Sequence, residues 1–360
     1  MNCLRICLRK NTGVWGVLFL GLSLLLSACI TPFPISKTQP PSNSPLERFD
    51  FTQPQMGLPF RLQFYAPDSE TATVAANAAY ERVRQLNQIL SDYETDSELN
   101  QLSRTAGQNR DIRVSDDLWK VLAMAQRRAH ESDGSFDISV GPLVTLWRKA
   151  RREHQLPPLA LINSGLGRVG FRHIILKPES QSVRLLIPHM HLDLGGIAKG
   201  YALDEALSIL RRHGITRALV TGSGDMAIGD SPPGKSGWRI EIPPHDSQTN
   251  TPSSFIHLKN CGFATSGDTV QRLEINGIRY SHILNPKTGL GLTNHSAVWV
   301  VAKDGMTADS FSTMISVIGG FRSLELMAKH YPKVSYRILS HNKNCLEEYI
   351  SPKFPQLQSH

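Results

Sequence analysis

The 360-residue chain has little of several things that would narrow its function. Its five cysteines include no CxxC pair, and no cysteine–histidine cluster has metal-ligand spacing. Structural zinc and iron–sulfur sites are thereby excluded. No dense lysine–arginine block carries interleaved aromatics, so nucleic acid is excluded as a partner; Arg151-Arg152 and Arg211-Arg212 read as solvated helix faces. The G-x-x-x-x-G-K-[ST] loop of the common nucleotide hydrolases is missing, and so is any internal repeat. The longest charge-free apolar run, Val14 to Leu26, is shorter than the about 20 residues that span a bilayer.

That run belongs to a targeting segment. Arg5, Arg9 and Lys10 form a basic head, and the apolar stretch ends at Leu26-Ser27-Ala28-Cys29, the shape of an export signal. The ending resembles the lipobox of bacterial lipoproteins, which implies cleavage after residue 28 and acylation of Cys29. Residues 29–46 carry "ITPFPISKTQPPSNSP", too rich in proline and serine to build a core, and read as a tether. If it is mostly polyproline II, its reach is on the order of 50 Å. Residues 47–360 are then the folded domain. Loss of residues 1–28 lowers the formal charge from +8 to +5, which suits anionic ligands or an anionic membrane surface. Only Cys261 and Cys345 remain in that domain, and a disulfide between them is not expected.

Local patterns alternate between helix and strand. "FRLQFYAP" (60–67) has strand periodicity. Residues 72–90 place Ala79, Val83, Leu86 and Leu90 at helical spacing. Residues 91–103 read as a polar loop. Ser115 caps a helix ending near His130, with Asp116 and Asp117 in its first turn, and Pro142 suits the first turn of a short helix. Strands are expected at 171–176 and 183–187, then a helix stopping at Gly214. Further strands follow at "RALVTG", "WRIEI" and "SFIHLKN", and Asn276-Gly277 is a strong hairpin signal. "AVWVVA" (297–302), a helix over 308–318, a terminal helix and "SYRIL" close the chain. With no regular βαβ beat, the pattern predicts an α+β domain rather than a Rossmann sheet.

Several stretches carry chemistry. "LDLGGIAKGYALDEA" (192–206) combines Gly195 and Gly196, which let backbone approach a ligand, with Lys199, a point charge for a phosphate, at a helix start whose N–H groups are expected to be free. Asp193 could accept hydrogen bonds from a base or sugar. The bland reading is a tight turn capping a helix. Asp309 and Thr313 share a helix face at i and i+4, half of a hard-cation site, yet a helix N-terminus alone also accounts for them. His282 in "YSHILNPKTGLG" could move a proton, although a lone histidine on a strand is more often structural. "DGSFDISVGP" with Asp137, "TGSGDMAIGD" with Asp225 and "ATSGD" (264–268) are further polar turns, each weak by itself.

Taken together and in this order, "SDYETDSELNQL", "GSFDISVGPLVTLW", "LDLGGIAKGYALDEA", "GSGDMAIG", "ATSGD", "SHILNPKTG" and "ADSFSTMISVIG" resemble the ApbE family of FAD:protein FMN transferases, over about residues 56–320. The resemblance implies a single α+β, T-fold-like domain, with a mixed, mainly antiparallel sheet, packed helices and an FAD cleft. It implies transfer of FMN from FAD to a threonine or serine of a target protein, with release of AMP. Targets would be flavoprotein subunits of membrane redox complexes, met on the periplasmic side. By the same resemblance, Met56, Tyr93, Ser135, Phe136, Asp137, Asp193, Lys199 and Ile283 contact FAD. The Gly196 carbonyl, Asp309 and Thr313 hold Mg2+, and His282 accepts the proton, with Lys199 beside the pyrophosphate.

Some positions depart from the family pattern. Asn285 replaces an aspartate, Ser223 a glycine, and "LWRKA" the usual tryptophan–glycine continuation; "MGLPF" lacks a threonine. Two rivals share the same residues: an FAD pyrophosphatase yielding FMN and AMP, and a non-catalytic flavin-binding lipoprotein. Nothing in the chain resembles a thiamine site.

Overall fold

The chain enters its fold through a hairpin, β1 (Glu47–Gln55) and β2 (Leu58–Ala66), in the computed structural model. The model describes residues 45–243, 253–267, 272–342 and 345–359. The export signal, Cys29, the tether up to Ser44 and Asp268 lie outside the described residues. Ser44–His360 forms one compact unit. Among the described residues no helix is long and apolar enough to cross a membrane.

The β1–β2 turn is Met56-Gly57, with φ of 51° and 73°, the left-handed pair that two-residue hairpins favour. Asp68 caps α1 (Ser69–Leu90), and the anticipated stripe of Ala79, Val83, Leu86 and Leu90 is buried. The stretch read as a polar loop instead contains α2 (Glu98–Ser103), capped by Ser97 and held by buried Leu99 and Leu102. One turn is too short to show helical periodicity. After β3 (Ile112–Arg113), Ser115 caps α3 (Asp116–Glu131) as anticipated. Pro142 sits in the first turn of α4 (Gly141–Glu153), and α5 (Leu159–Leu166) follows. The strand anticipated at 171–176 starts only at Ile174: Phe171–His173 form a 3-10 turn before β4 (Ile174–Lys177). β5 (Ser182–Leu185) joins β3 and β4 in a small sheet.

The helix α6 (Ala198–Arg212) ends at Gly214, with φ 79°. Then come β6 (Ala218–Gly222), β7 (Asp225–Ile228), β8 (Trp238–Ile242), β9 (Ser254–Leu258) and β10 (Cys261–Gly267). Asn276-Gly277 joins β11 (Arg272–Ile275) to β12 (Ile278–Ser281), as its sequence predicts. β13 (Ser296–Ala302), α7 (Gly305–Ile318), α8 (Gly320–His330), β14 (Ser335–Asn342), β15 (Cys345–Ile350) and β16 (Gln358–Ser359) complete the chain.

The main sheet runs β1-β2-β6-β7-β10-β13-β14-β15, and every pairing in it is antiparallel. Both faces are covered, which is why β13 reads as an unbroken apolar run. Its Val298, Val300 and Ala302 face the core under α1, α6 and α7, while Ala297 and Trp299 face a second core against the β16-β9-β8 sheet. Side chains alternate faces along a strand, so one register slip would exchange the two cores. A third, smaller core joins α4, α5 and the β11–β12 hairpin around Trp147, whose indole N–H donates to the Gly289 carbonyl at 2.8 Å.

Register fixes what meets at one end of the main sheet. Phe60 pairs with Gly222, so the Met56-Gly57 turn lies beyond the same end as the Ser223-Gly224 turn between β6 and β7. Gly267 pairs with Ala297, which brings the end of β10 and the loop after β12 to that end too.

Candidate active site

The glycine corner is built by a backbone crossing. The Asp193 N–H donates to the Ile138 carbonyl at 2.8 Å, and Val140 bridges His191. Stretches 135–141 and 191–196 therefore lie side by side. Gly141 is obligatory there, because a Cβ would fall 2.5 Å from the His191 carbonyl oxygen. Phe136 is buried beneath the corner: its ring edge would stand 3.3 Å from a Cβ on Gly196, and the Thr313 hydroxyl 3.0 Å from the same point. Gly196 and Thr313, far apart in sequence, are thus neighbours.

Behind the corner α6 crosses α7 at close range. A Cβ on Gly200 would lie 2.2 Å from the Gly305 carbonyl oxygen. The close approach puts Asp309, in the second turn of α7, against the first turn of α6. Its carboxylate accepts from the Gly200 N–H at 3.0 Å and from the Lys199 ammonium at 3.2 Å. Lys199 also donates to Asp225 at 2.5 Å, and Asp225 accepts from the Thr265 N–H at 3.1 Å. Asp225 and Asp309 are 1% and 2% exposed. Burial pulls the Lys199 ammonium down, but Asp225 and Asp309 outweigh it and hold it above its ordinary value. Burial and the neighbouring Asp309 push Asp225 up against the pull of Lys199. The expectation of free N–H groups at this helix start is corrected. Ala198 donates to the Leu194 carbonyl and Gly200 to Asp309, so the carboxylate acts as the cap that Ile197 cannot supply.

The other anticipated residues are placed as follows. Met56 is half-buried against the main core in its hairpin turn. Ser135 is half-buried. Asp137 spends its carboxylate internally, on the Ser139 N–H and hydroxyl at 2.8 and 2.6 Å and the Phe171 N–H at 2.8 Å. It fastens the turn, and burial raises its pKa. Ile283 is buried and donates its N–H to the Ser281 hydroxyl at 3.1 Å. His282 is exposed, on the residue after β12 rather than on a strand. Asn285 accepts from the Lys287 N–H at 2.9 Å, so the amide shapes its own turn, as an aspartate would. Ser223 takes φ 50°, which shows why glycine suits that position.

At the rim, motif reading named Tyr93 and Asp193 but missed Asp92 and Arg148, which join them. Arg148 of α4 pairs with Asp92 and, at 3.2 Å, with Asp193, and its guanidinium carbon lies 3.9 Å from the Tyr93 ring centroid. Tyr93 is 73% exposed. Burial, then Asp92, pushes Asp193 up to about 6 against the pull of Arg148. The departure from the family pattern after Trp147 was the one signal in the sequence. Asp225 lay in a recognised turn but had no role until its lysine partner was placed.

Among the described residues no three of His, Cys, Asp and Glu gather as a metal-binding group. A separate recess of about 310 Å³, lined by Lys120, Asp204 and Asp304 among others, contains none of the anticipated site residues.

The model of the ApbE family matches residues 56–338. The chain belongs to the ApbE family. A Haemophilus influenzae relative named FAD:protein FMN transferase is 32% identical over 76% of this chain and 82% of its own. An Escherichia coli K12 protein of the same name is 26% identical over 74% and 77%. The flavin transferase ApbE from Vibrio cholerae superposes with a TM-score of 0.76 at 27% identity, over 86% of this chain and 99% of that one. The stretches that carry the resemblance meet at the corner, the α6–α7 crossing, the Arg148 rim and one end of the main sheet.

Proposed function

We infer that this chain is an FAD:protein FMN transferase. The observation that carries the reading is the half-buried Lys199 held by the buried carboxylates of Asp225 and Asp309 beside the glycine corner, in a chain of this family. One ammonium between two carboxylates fixes the lysine in place but leaves no net positive charge, so an entering pyrophosphate needs a further cation at the corner.

Magnesium dependence belongs to the same proposal. The donors fit a small hard cation: the Asp309 carboxylate, the Thr313 hydroxyl and the Gly196 carbonyl are all oxygen, and magnesium usually takes one or two protein carboxylates. A Cβ at residue 196 would crowd the Thr313 hydroxyl, so glycine keeps the corner open. The ion would neutralise pyrophosphate charge during transfer.

In this reading Lys199, pinned by two carboxylates, holds positive charge beside the bridging oxygen. Asp193 and Tyr93 orient the dinucleotide from the rim. His282 takes the proton from the acceptor hydroxyl, and that oxygen attacks the FMN-side phosphorus. The phosphorus–oxygen bond to the AMP half breaks as the new one forms. Positioning and electrostatics supply most of the rate. We further propose that Cys29 carries lipid, holding the domain on the periplasmic side of a bacterial membrane, with membrane redox flavoproteins as targets. The sequence of residues 1–46 supports this.

The test is to incubate the protein with FAD, Mg2+ and membranes from cells lacking it. A fluorescent, covalently flavinylated band with release of AMP is expected. Free FMN with no labelled protein would favour the pyrophosphatase, and FAD left whole would favour the binding protein.

A further inference from the structure

Arg148 stands one residue after Trp147, whose ring is buried in the satellite core and tied to Gly289. The backbone beneath Arg148 is therefore fixed, and its guanidinium reaches away from that core to three partners. One nitrogen pairs with Asp92, another with Asp193, and the flat face covers Tyr93 at 3.9 Å. Asp92 and Asp193 have side chains only 10% and 9% exposed. Each wall also has its own supports. The Tyr93 loop is pinned by the Asn100 side-chain amide, which donates to the Asp92 and Glu94 carbonyls at 3.1 and 2.8 Å. Asp193 is pinned by the Gly195 N–H at 2.8 Å. At their base the walls meet where the Leu192 N–H donates to the Ser103 hydroxyl at 3.2 Å; beside Tyr93 it is Arg148 that bridges them.

We propose that Arg148 is a positioning residue for FAD: it ties the Tyr93 wall to Asp193 at a set separation and neutralises the Asp92–Asp193 pair that would otherwise repel an anionic dinucleotide. The inference rests on the reading that this cleft takes FAD. A planar guanidinium fits the task because it can pair with two carboxylates and stack on a ring at once, which a lysine cannot. Removing it leaves two dehydrated carboxylates side by side, which push apart and open the gap. The preset geometry acts on capture of FAD, not on the reacting phosphorus. Its loss therefore raises KM more than it lowers kcat.

The experiment compares wild type, Arg148→Ala and Arg148→Lys. FAD affinity is measured by equilibrium dialysis with Mg2+, and KM and kcat for FAD by AMP release in the presence of acceptor membranes. Arg148→Ala is expected to raise both Kd and KM for FAD about tenfold, with kcat falling less than threefold. Arg148→Lys keeps the charge but loses the stack, and is expected to raise KM about threefold. A thermal midpoint that drops in Arg148→Ala while Kd and KM stay put would overturn the inference and leave Arg148 a structural residue. Tighter FAD binding in Arg148→Ala would overturn it too. Should Arg148→Ala fail to fold, an unchanged KM in Arg148→Lys overturns it. Wild type that neither binds nor consumes FAD sinks the functional reading itself, a result separate from these.

Discussion

The floor and the rim of the site are made in opposite ways. The floor, Lys199 with Asp225 and Asp309, stands at the starts of α6 and β7 and in the second turn of α7, with both carboxylates almost fully buried. The rim, Asp92 and Tyr93 with Arg148 and Asp193, joins two loops through one helical side chain and leaves Tyr93 in solvent. Packing positions the floor: glycines at 200 and 305 let two helices touch, and the charges follow. Ion pairs position the rim. The difference suits a site that must hold a pyrophosphate rigidly while admitting a large, flat ligand and a protein.

If packing sets the floor, the largest effect should come from filling its tightest point. Gly200→Ala drives a methyl into the Gly305 carbonyl, 2.2 Å away. We expect a loss of roughly 3 kcal/mol or more in urea unfolding, or no soluble protein. A cost under about 1 kcal/mol would show that α6 and α7 can part freely. Asp309→Ala keeps the packing but removes one of the lysine's two partners. The protein should still fold, with magnesium-dependent AMP release down at least about 100-fold. Unchanged activity would remove Asp309 from the metal site. His282→Ala alters an exposed side chain. Transfer should slow by about 10²-fold with FAD affinity changed less than about threefold, as read by single-turnover and dialysis measurements. Equal losses in both would make it a binding residue.

The smallest effect concerns the back of the floor. Asp204 of α6 accepts from the Gly305 and Met306 N–H groups, at 2.7 and 2.8 Å, and so ties α6 to the start of α7. Burial raises its carboxyl to about 7, against the pull of those N–H groups. Between its unfolded value near 4 and 7, the folded chain holds a proton that the unfolded chain has released, so stability should fall as pH rises through that window and level off above it. Asp204→Asn should flatten that slope by a degree-scale shift in Tm. A slope unchanged in the variant would assign it to another group.

The same contrast explains how much was legible in the sequence. Features set by near neighbours were readable: the α1 stripe, the Ser115 cap, the Asn276-Gly277 hairpin, and the corner leading into α6. The motif order singled out Gly196 and Thr313, which the fold makes neighbours, and Asp309 one turn before Thr313 on α7. What depends on distant partners was not readable. Asp225 took on meaning only against Lys199, 26 residues earlier, and Arg148 only against residues 56 and 45 positions away. The sheet order was equally out of reach, since β2 pairs with β6 across the whole helical insertion. α2 and α5 were too short to impose a period. Asp137, which resemblance places against FAD, also fastens its own turn, a role that the motif does not show.

The most direct test is a crystal structure of the protein with FAD and Mg2+. It should place the pyrophosphate over Gly195 and Gly196, beside Lys199, with the ion against Asp309 and Thr313 and the flavin near Tyr93. FAD lodged in the recess by Asp204, or a corner filled by protein with the dinucleotide elsewhere, would contradict the account.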